Sequence, residues 1–188
     1  KHHYAHAPVP RRGLLALVHK GLSFCHEIAA CAQSLGIDLF VISSQYGPTA
    51  PLANLAPRLP FVHVTAEESL NETTVLEGLK RMEEASCTPL ACIATMESYR
   101  LLSASINARL GGHDASVEVL KRAMDKLAAR TVLREADLTA VTAETVTAAR
   151  LDTAKASGLP YFIKPRRGAA SFGAFPLTAT VTYQQIEA

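Results

Sequence analysis

The chain has 188 residues, 48% of them hydrophobic and 19% charged, and its formal net charge is +2. This composition is typical of a globular protein with a core and excludes a disordered chain. The near-neutral charge argues against nucleic-acid or membrane-surface binding, which needs a basic face. No apolar run reaches the roughly 20 residues of a membrane span. We therefore expect a soluble protein.

The four cysteines form no CxxC pair and no dense framework. Cys25 and Cys31 fall in an apolar helix pattern and Cys92 in an apolar strand pattern, where cysteine behaves as a small hydrophobe. Reduced core thiols in a cytoplasmic protein are the interpretation that this spacing favours.

The first 112 residues predict a flexible arm, residues 1–12, followed by a wound α/β domain, residues 13–112. Aliphatic runs without polar alternation predict buried parallel strands at 14–18, 39–42, 61–64 and 90–94. Helical patterns lie between them. In the third helix, residues 70–85, the apolar face is predicted from Val75, Leu76, Leu79 and Met82. Alternating strands and helices indicate a parallel sheet covered on both faces.

The turn His19-Lys20-Gly21 follows the first strand at its carboxyl end, where wound folds place ligands. A single glycine is weak evidence for a nucleotide, because dinucleotide sites need a longer glycine motif. We interpret this turn as structural.

Residues 116–136 predict one long helix or two short helices broken near Asp125. Asp125, Lys126 and Arg130 fit an exposed helical salt-bridge set. A short strand at 137–143 and a helix at 143–157 are expected to follow, and Thr182 is expected to cap a last helix.

The stretch Leu159–Phe175 predicts a β-hairpin with Lys164 at the end of its first strand and small residues from Gly168 to Gly173 at its tip. Exposed backbone N–H groups and the Ser171 hydroxyl could surround phosphate oxygens, since no large side chain intervenes. Lys164 adds a point charge for the same oxygens. A flexible hairpin with a surface lysine is the other interpretation.

This order of motifs resembles the ATP-grasp superfamily of carboxylate–amine ligases. The run Lys121–Leu138 is similar to the family's Asp-Lys helix, which implies that Lys126 reaches the nucleotide phosphates. Tyr161–Pro165 resembles the strand whose lysine, here Lys164, contacts the nucleotide. Gly168–Gly173, including Ser171 and Phe172, resembles the flexible loop that folds over the phosphates.

The resemblance also implies a chemistry and a domain order. Residues 113–188 would be the start of an ATP-grasp nucleotide-binding subdomain, and the chain would be the N-terminal part of a longer ligase, inactive by itself. ATP and Mg²⁺ are the implied cofactors, with the metal ligands outside this chain. A carboxylate would be activated as an acyl phosphate and joined to an amine, with an amino acid as the expected substrate. Glu97 resembles the acidic position of amino-acid and dipeptide ligases.

Alternatives stay open at this point. Glu97 could simply be stabilised by a helix dipole. The chain could be a non-catalytic nucleotide-binding or regulatory α/β module, or a biotin-carboxylase-like subunit that phosphorylates bicarbonate. Family members are often dimers through the first domain, which makes a homodimer a further expectation.

Overall fold

The computed structural model describes residues 11–21, 25–48, 50–55, 59–168 and 172–187, with only the backbone of Cys25, Pro51 and Leu55. Residues 1–10, most of the expected arm, lie outside the described residues. The chain divides into two compact units, residues 1–117 and residues 118–188. No helix in the described part of the chain is long and apolar enough to cross a bilayer.

The first unit is a four-stranded parallel sheet in the order β3-β2-β1-β4. Its strands are β1 (Arg11–Val18), β2 (Asp38–Ser43), β3 (Phe61–Val64) and β4 (Cys87–Ala94). Its helices are α1 (Cys25–Ser34), α2 (Pro51–Leu55), α3 (Glu72–Glu84) and α4 (Arg100–Arg109), the last preceded by a 3₁₀ turn, Glu97–Tyr99. The predicted wound α/β fold is confirmed.

Strand β1 begins at Arg11, three residues before the predicted apolar run. Arg11 and Arg12 therefore belong to the sheet, where they pair with Cys87 and Thr88 of β4, and not to a flexible arm. The Arg11 Nε atom also donates a hydrogen bond of 2.8 Å to Asp38 of β2. Pairing with β4 thus extends the strand beyond its apolar residues, whereas the pairing of β1 with β2 begins only at Gly13.

Side chains alternate along the central strands and form a core on each face of the sheet. On one face, Leu15 and Leu17 pack with residues of α3 and α4. On the other, Ala16 and Val18 pack with residues of α1 and α2. Cys92 is buried as predicted and Cys87 is buried as well, whereas Cys31, expected in the core, is exposed. The Cys25 side chain lies outside the described residues.

Helix α3 buries Val75, Leu79 and Met82 of its predicted apolar face, but not Leu76. Its buried residues are Val75, Gly78, Leu79 and Met82, whereas Leu76 is 37% exposed. Gly78 faces the sheet so closely that an added Cβ would lie 1.9 Å from the Cδ1 atom of Ile42. The absence of a side chain there lets the helix approach the strand.

Strand β4 is an edge strand, which is where Pro89 can be accommodated. Asn107 of α4 satisfies part of its free edge: Nδ2 donates to the Cys92 carbonyl at 2.8 Å and Oδ1 accepts from the Cys92 N–H at 2.6 Å. One side-chain amide therefore replaces a neighbouring strand at this position.

The second unit combines helices with a two-stranded antiparallel sheet. Its elements are α5 (Val117–Met124), α6 (Lys126–Glu135), α7 (Ala148–Ser157), β5 (Phe162–Ile163), β6 (Phe175–Pro176) and α8 (Tyr183–Glu187). Strands β5 and β6 form the predicted hairpin. Thr182 caps α8 as predicted, because its Oγ1 atom accepts from the Gln185 N–H and the Gln185 side chain accepts from the Thr182 N–H.

The predicted strand at 137–143 is wrong. The segment starts with a turn, in which the Leu138 N–H donates to the Leu133 carbonyl, and then runs without ladder pairing. Helix α7 begins at Ala148 rather than near 143, because Thr147 accepts the Arg150 N–H and caps its first turn.

Candidate functional site

The break between α5 and α6 lies at Asp125, so the structure has two short helices rather than one long helix. Asp125 has extended backbone angles and is the N-cap of α6. Its Oδ1 atom accepts the N–H groups of Leu127 and Ala128, both at 3.1 Å. These are donors that the first turn of a helix leaves without an intrahelical partner.

The Asp125 carboxylate also pairs with a guanidinium from the hairpin. Arg166 donates from Nη2 to Oδ2 at 2.5 Å and from Nε to Oδ1 at 3.2 Å. The Arg166 hydrogen bond, followed by that of the Ala128 N–H, holds the pKa of Asp125 below its usual range. Asp125 is therefore buried and paired across 41 residues, and the predicted exposed helical salt-bridge set is wrong; Arg130 instead donates to Thr139.

Lys126 is the first residue of α6 and contacts the same segment of the hairpin. Its backbone N–H donates to the Arg166 carbonyl at 2.9 Å, and its Nζ atom donates to the Gly168 carbonyl at 2.7 Å. Two residues that the sequence placed in one phosphate site, Lys126 and Gly168, thus lie in contact although 42 residues separate them.

Gly168 and Gly173, the two described glycines of the loop, differ in how much space a side chain would find there. Gly168 has a φ of 125°, and no atom of the described residues lies within 4 Å of a Cβ added there, so its backbone conformation is what favours glycine. Gly173 has a φ of 66°, and an added Cβ would lie 3.1 Å from the Cγ atom of Pro165.

Among the described residues, no hydrogen bond or ion pair joins the remaining predicted site residues to one another. Lys164 directly follows β5 with an exposed side chain, and Phe172 is 89% exposed. Ser171 lies outside the described residues. Glu97 is in the first unit, where it begins the 3₁₀ turn after β4 and is exposed.

Arg166 is the residue that sequence reasoning missed. Helical charge spacing compares residues three or four apart, so it cannot reveal a partner of Asp125 on a distant hairpin. The only signal in the sequence was the pair Arg166-Arg167, which directly precedes the loop that was predicted to bind phosphate.

The turn after β1 is structural, as its sequence suggested. The Lys20 N–H donates to Ser44 and the Gly21 N–H donates to Ser43, each at 2.9 Å. Gly21 has a φ of 70°, and an added Cβ would lie 2.8 Å from the Cβ of Ala50. The backbone donors of this turn are therefore satisfied by Ser43, the last residue of β2, and by Ser44, which follows it.

A polar contact at this edge of the first unit was not anticipated. The Nδ1 atom of His19 lies 2.9 Å from the hydroxyl of Tyr99, a tyrosine that is 2% exposed. The same hydroxyl accepts the Leu70 N–H at 3.2 Å. The buried tyrosine therefore fixes the orientation of the half-buried histidine ring.

The described residues contain no group of three or more histidine, cysteine, aspartate or glutamate side chains placed to hold a metal ion. No residue of the described part of the chain is therefore assigned to Mg²⁺.

Comparison with known proteins identifies the fold. No protein-family model and no curated protein sequence matches this chain. Among solved structures, the L-amino acid ligase from Bacillus licheniformis matches at 17% identity and a TM-score of 0.57, over 85% of this chain and 38% of that chain. N5-carboxyaminoimidazole ribonucleotide synthetase, solved as an ADP complex, matches at 15% identity and a TM-score of 0.62, over 92% and 42%.

A third match is the biotin carboxylase domain of 2-oxoglutarate carboxylase from Hydrogenobacter thermophilus, solved as a dimer with MgADP, ADP and bicarbonate. It is 14% identical, with a TM-score of 0.64 over 92% of this chain and 38% of that chain. All three are ATP-grasp enzymes, and the match falls on the N-terminal portion of each. The predicted resemblance is thus confirmed as a shared fold. The chain spans about two fifths of the length of these structures.

Proposed function

We propose that this chain supplies the nucleotide-binding start of an ATP-dependent ligase that joins a carboxylate to an amine. The observation that carries the proposal is the contact between Lys126 and Gly168, which brings the Asp-Lys helix and the small-residue loop together in the second unit. The fold shared with ATP-grasp enzymes, two of them solved with ADP, supports it.

The chemistry proposed for the whole protein has two steps. The γ-phosphoryl group of ATP passes to a substrate carboxylate and yields an acyl phosphate and ADP. An amine then attacks the acyl carbon, phosphate leaves, and an amide and a proton result. Residues of this chain would contribute by binding: Lys126 and Lys164 place positive charge near the phosphates, and the backbone around Gly168 and Gly173 leaves room for their oxygens.

The proposed site residues are Lys126, Lys164, Gly168, Ser171, Phe172 and Gly173. Mg²⁺ would neutralise phosphate charge in the assembled enzyme, with ligands that lie outside this chain, and the chain alone is proposed to bind nucleotide without turnover. In the first unit, Glu97 is proposed to contact the amine of an amino-acid substrate, because it is an exposed acid just past the carboxyl end of a strand.

ADP binding tests this proposal. Isothermal titration of the 188-residue chain with ADP and MgCl₂ should give measurable binding, and Lys126→Ala and Lys164→Ala should each weaken it by about 1.5–3 kcal/mol, the value of a charge-assisted contact. Lys121→Ala is the matched control, because Lys121 is an exposed lysine of the same unit that pairs with Glu118. Equal affinity in all four proteins would refute the assignment.

A bicarbonate-activating enzyme is the second candidate, favoured by the match to the biotin carboxylase domain. The two candidates differ in the carboxylate that accepts the phosphoryl group. ADP formation by the full-length protein that depends on amino acids supports the ligase, whereas ADP formation that depends on bicarbonate alone supports the carboxylase. A homodimer is also proposed, since that domain was solved as a dimer.

A further inference from the structure

The residue directly before Lys126, Asp125, carries a negative charge that can offset the positive charge of Lys126. The Asp125 carboxylate is 5% exposed and belongs to the residue directly before Lys126. A carboxylate on the adjacent residue, held in a site with little access to water, would oppose the attraction of an anion to the lysine. Lys126 and Asp125 alone would present no net charge to a phosphate.

Arg166 removes this conflict. Its guanidinium meets both carboxylate oxygens of Asp125, at 2.5 and 3.2 Å, the paired geometry in which arginine neutralises a carboxylate with fixed orientation. The Arg166 carbonyl also accepts the Lys126 backbone N–H. With Arg166 in place, the cluster of three charged residues carries one net positive charge, and Lys126 Nζ lies at the Gly168 carbonyl.

We propose that Arg166 is a positioning residue of the nucleotide site, which neutralises Asp125 so that the charge of Lys126 remains available to phosphate. The inference rests on the proposed function. It differs from a structural role, in which the pair of Arg166 and Asp125 merely fastens the hairpin to α6.

Neutralisation of Asp125 and fastening of the hairpin predict different ADP affinities for the same variants. Arg166→Gln leaves Asp125 uncompensated and should weaken ADP binding about tenfold, the loss of one charge-assisted interaction. Asp125→Asn in the same chain removes the opposing charge and still caps α6, since asparagine is a good N-cap. The double variant should therefore recover to within about threefold of the parent protein.

A fastening role predicts no recovery, because the double variant lacks the ion pair just as Arg166→Gln does. Arg150→Gln is the matched control, since Arg150 is an arginine of the second unit that pairs with an exposed glutamate, Glu144, away from this cluster. It should bind ADP like the parent protein, which excludes an effect of net charge alone.

The experiment is isothermal titration with ADP and MgCl₂ on the 188-residue chain, with thermal unfolding of each variant. Should Arg166→Gln not fold, Arg166→Lys replaces it: lysine keeps the charge, and binding within threefold of the parent supports neutralisation, whereas a tenfold loss overturns it. Equal weakness of Arg166→Gln and the double variant also overturns it. If the parent binds, Lys126→Ala does not, and Arg166→Gln binds fully, this inference fails while the proposed function stands. Absence of binding by the parent overturns both.

Discussion

Asp114 shows how one carboxylate can organise the end of a helix in the first unit. The carboxylate accepts hydrogen bonds from Nη1 and Nη2 of Arg100, from Nδ2 of Asn107 and from the Ala115 N–H. The hydrogen bond from Arg100, followed by that from Asn107, holds the pKa of Asp114 well below its usual range. Since Asn107 also supports β4, the carboxylate is linked to the edge of the sheet.

A lowered folded-state pKa gives stability that depends on pH in a defined direction. The contribution of Asp114 is fully present above its unfolded pKa, about 3.9, and is lost as the pH falls toward the folded value. We predict that Asp114→Asn lowers the free energy of unfolding by about 1–3 kcal/mol at pH 7, and that the gap narrows between pH 5 and pH 3. Urea denaturation across this range measures it.

The control for this prediction is Glu77→Gln. Glu77 forms an exposed ion pair with Arg81 on α3, and such pairs contribute little to stability. Its variant should follow the parent protein at every pH. A gap for Asp114→Asn that stays constant from pH 7 to pH 3 would contradict the assignment to ionisation.

At the scale of single residues, the resemblance placed Lys126 and the loop at one phosphate site, but it predicted neither their direct contact nor the contacts that support it. The lysine and the glycine carry motif information, and the structure brings Lys126 to Gly168. The pairing of Asp125 with Arg166 depends on where a hairpin lies relative to a helix start, which no local charge pattern encodes. The same holds for His19 and Tyr99, 80 residues apart.

At the scale of elements, hydrophobic runs predicted all four strands of the first unit, because a sheet covered on both faces requires them. Their ends were less predictable. Arg11 and Arg12 extend β1 through pairing that their charge conceals. The expected strand at 137–143 does not form: Leu138 and Val141 are exposed there, and no described strand pairs with this segment.

At Gly78, helix α3 packs so closely against strand β2 that a larger residue there should change the stability of the protein. In an exposed helix, replacing glycine with alanine stabilises by roughly 1 kcal/mol. In α3 the new Cβ would meet the Cδ1 and Cγ1 atoms of fully buried Ile42, at 1.9 and 2.8 Å. We therefore predict that Gly78→Ala destabilises the protein by about 1–3 kcal/mol, the usual effect of overpacking a core, as measured by urea denaturation.

The partner residue supplies the internal control. Ile42→Val removes the Cδ1 atom and by itself should cost about 0.5–1.5 kcal/mol. In the Gly78→Ala background it should cost less or restore stability, because it removes the nearest clashing atom. Strictly additive effects of the two substitutions would show that helix and strand separate by another route.

At the scale of the whole molecule, the two units differ in how much apolar surface they bury. Of the described apolar residues that are buried, all but Leu151 and Ile163 belong to the first unit. The second unit instead leaves large apolar side chains exposed, including Leu138, Leu159, Phe162 and Phe172.

This difference predicts unequal local stability. Burial of apolar surface is the main stabilising contribution to folding, so amides of β5 and α6 should exchange with solvent at least about a hundredfold faster than those of β1 and β2. Hydrogen exchange followed by mass spectrometry at pH 7 would measure the exchange rates of both units in one sample.

Leu151→Ala removes one of the two described buried apolar side chains in the second unit, at a cost of about 2–5 kcal/mol, and should abolish the protection that remains there. Protection of β1 and β2 should stay unchanged. Leu159→Ala, at a residue 65% exposed, is the matched control and should leave both units as in the parent protein. Equal loss of protection in both units after Leu151→Ala would show that they unfold as one body, contrary to the prediction.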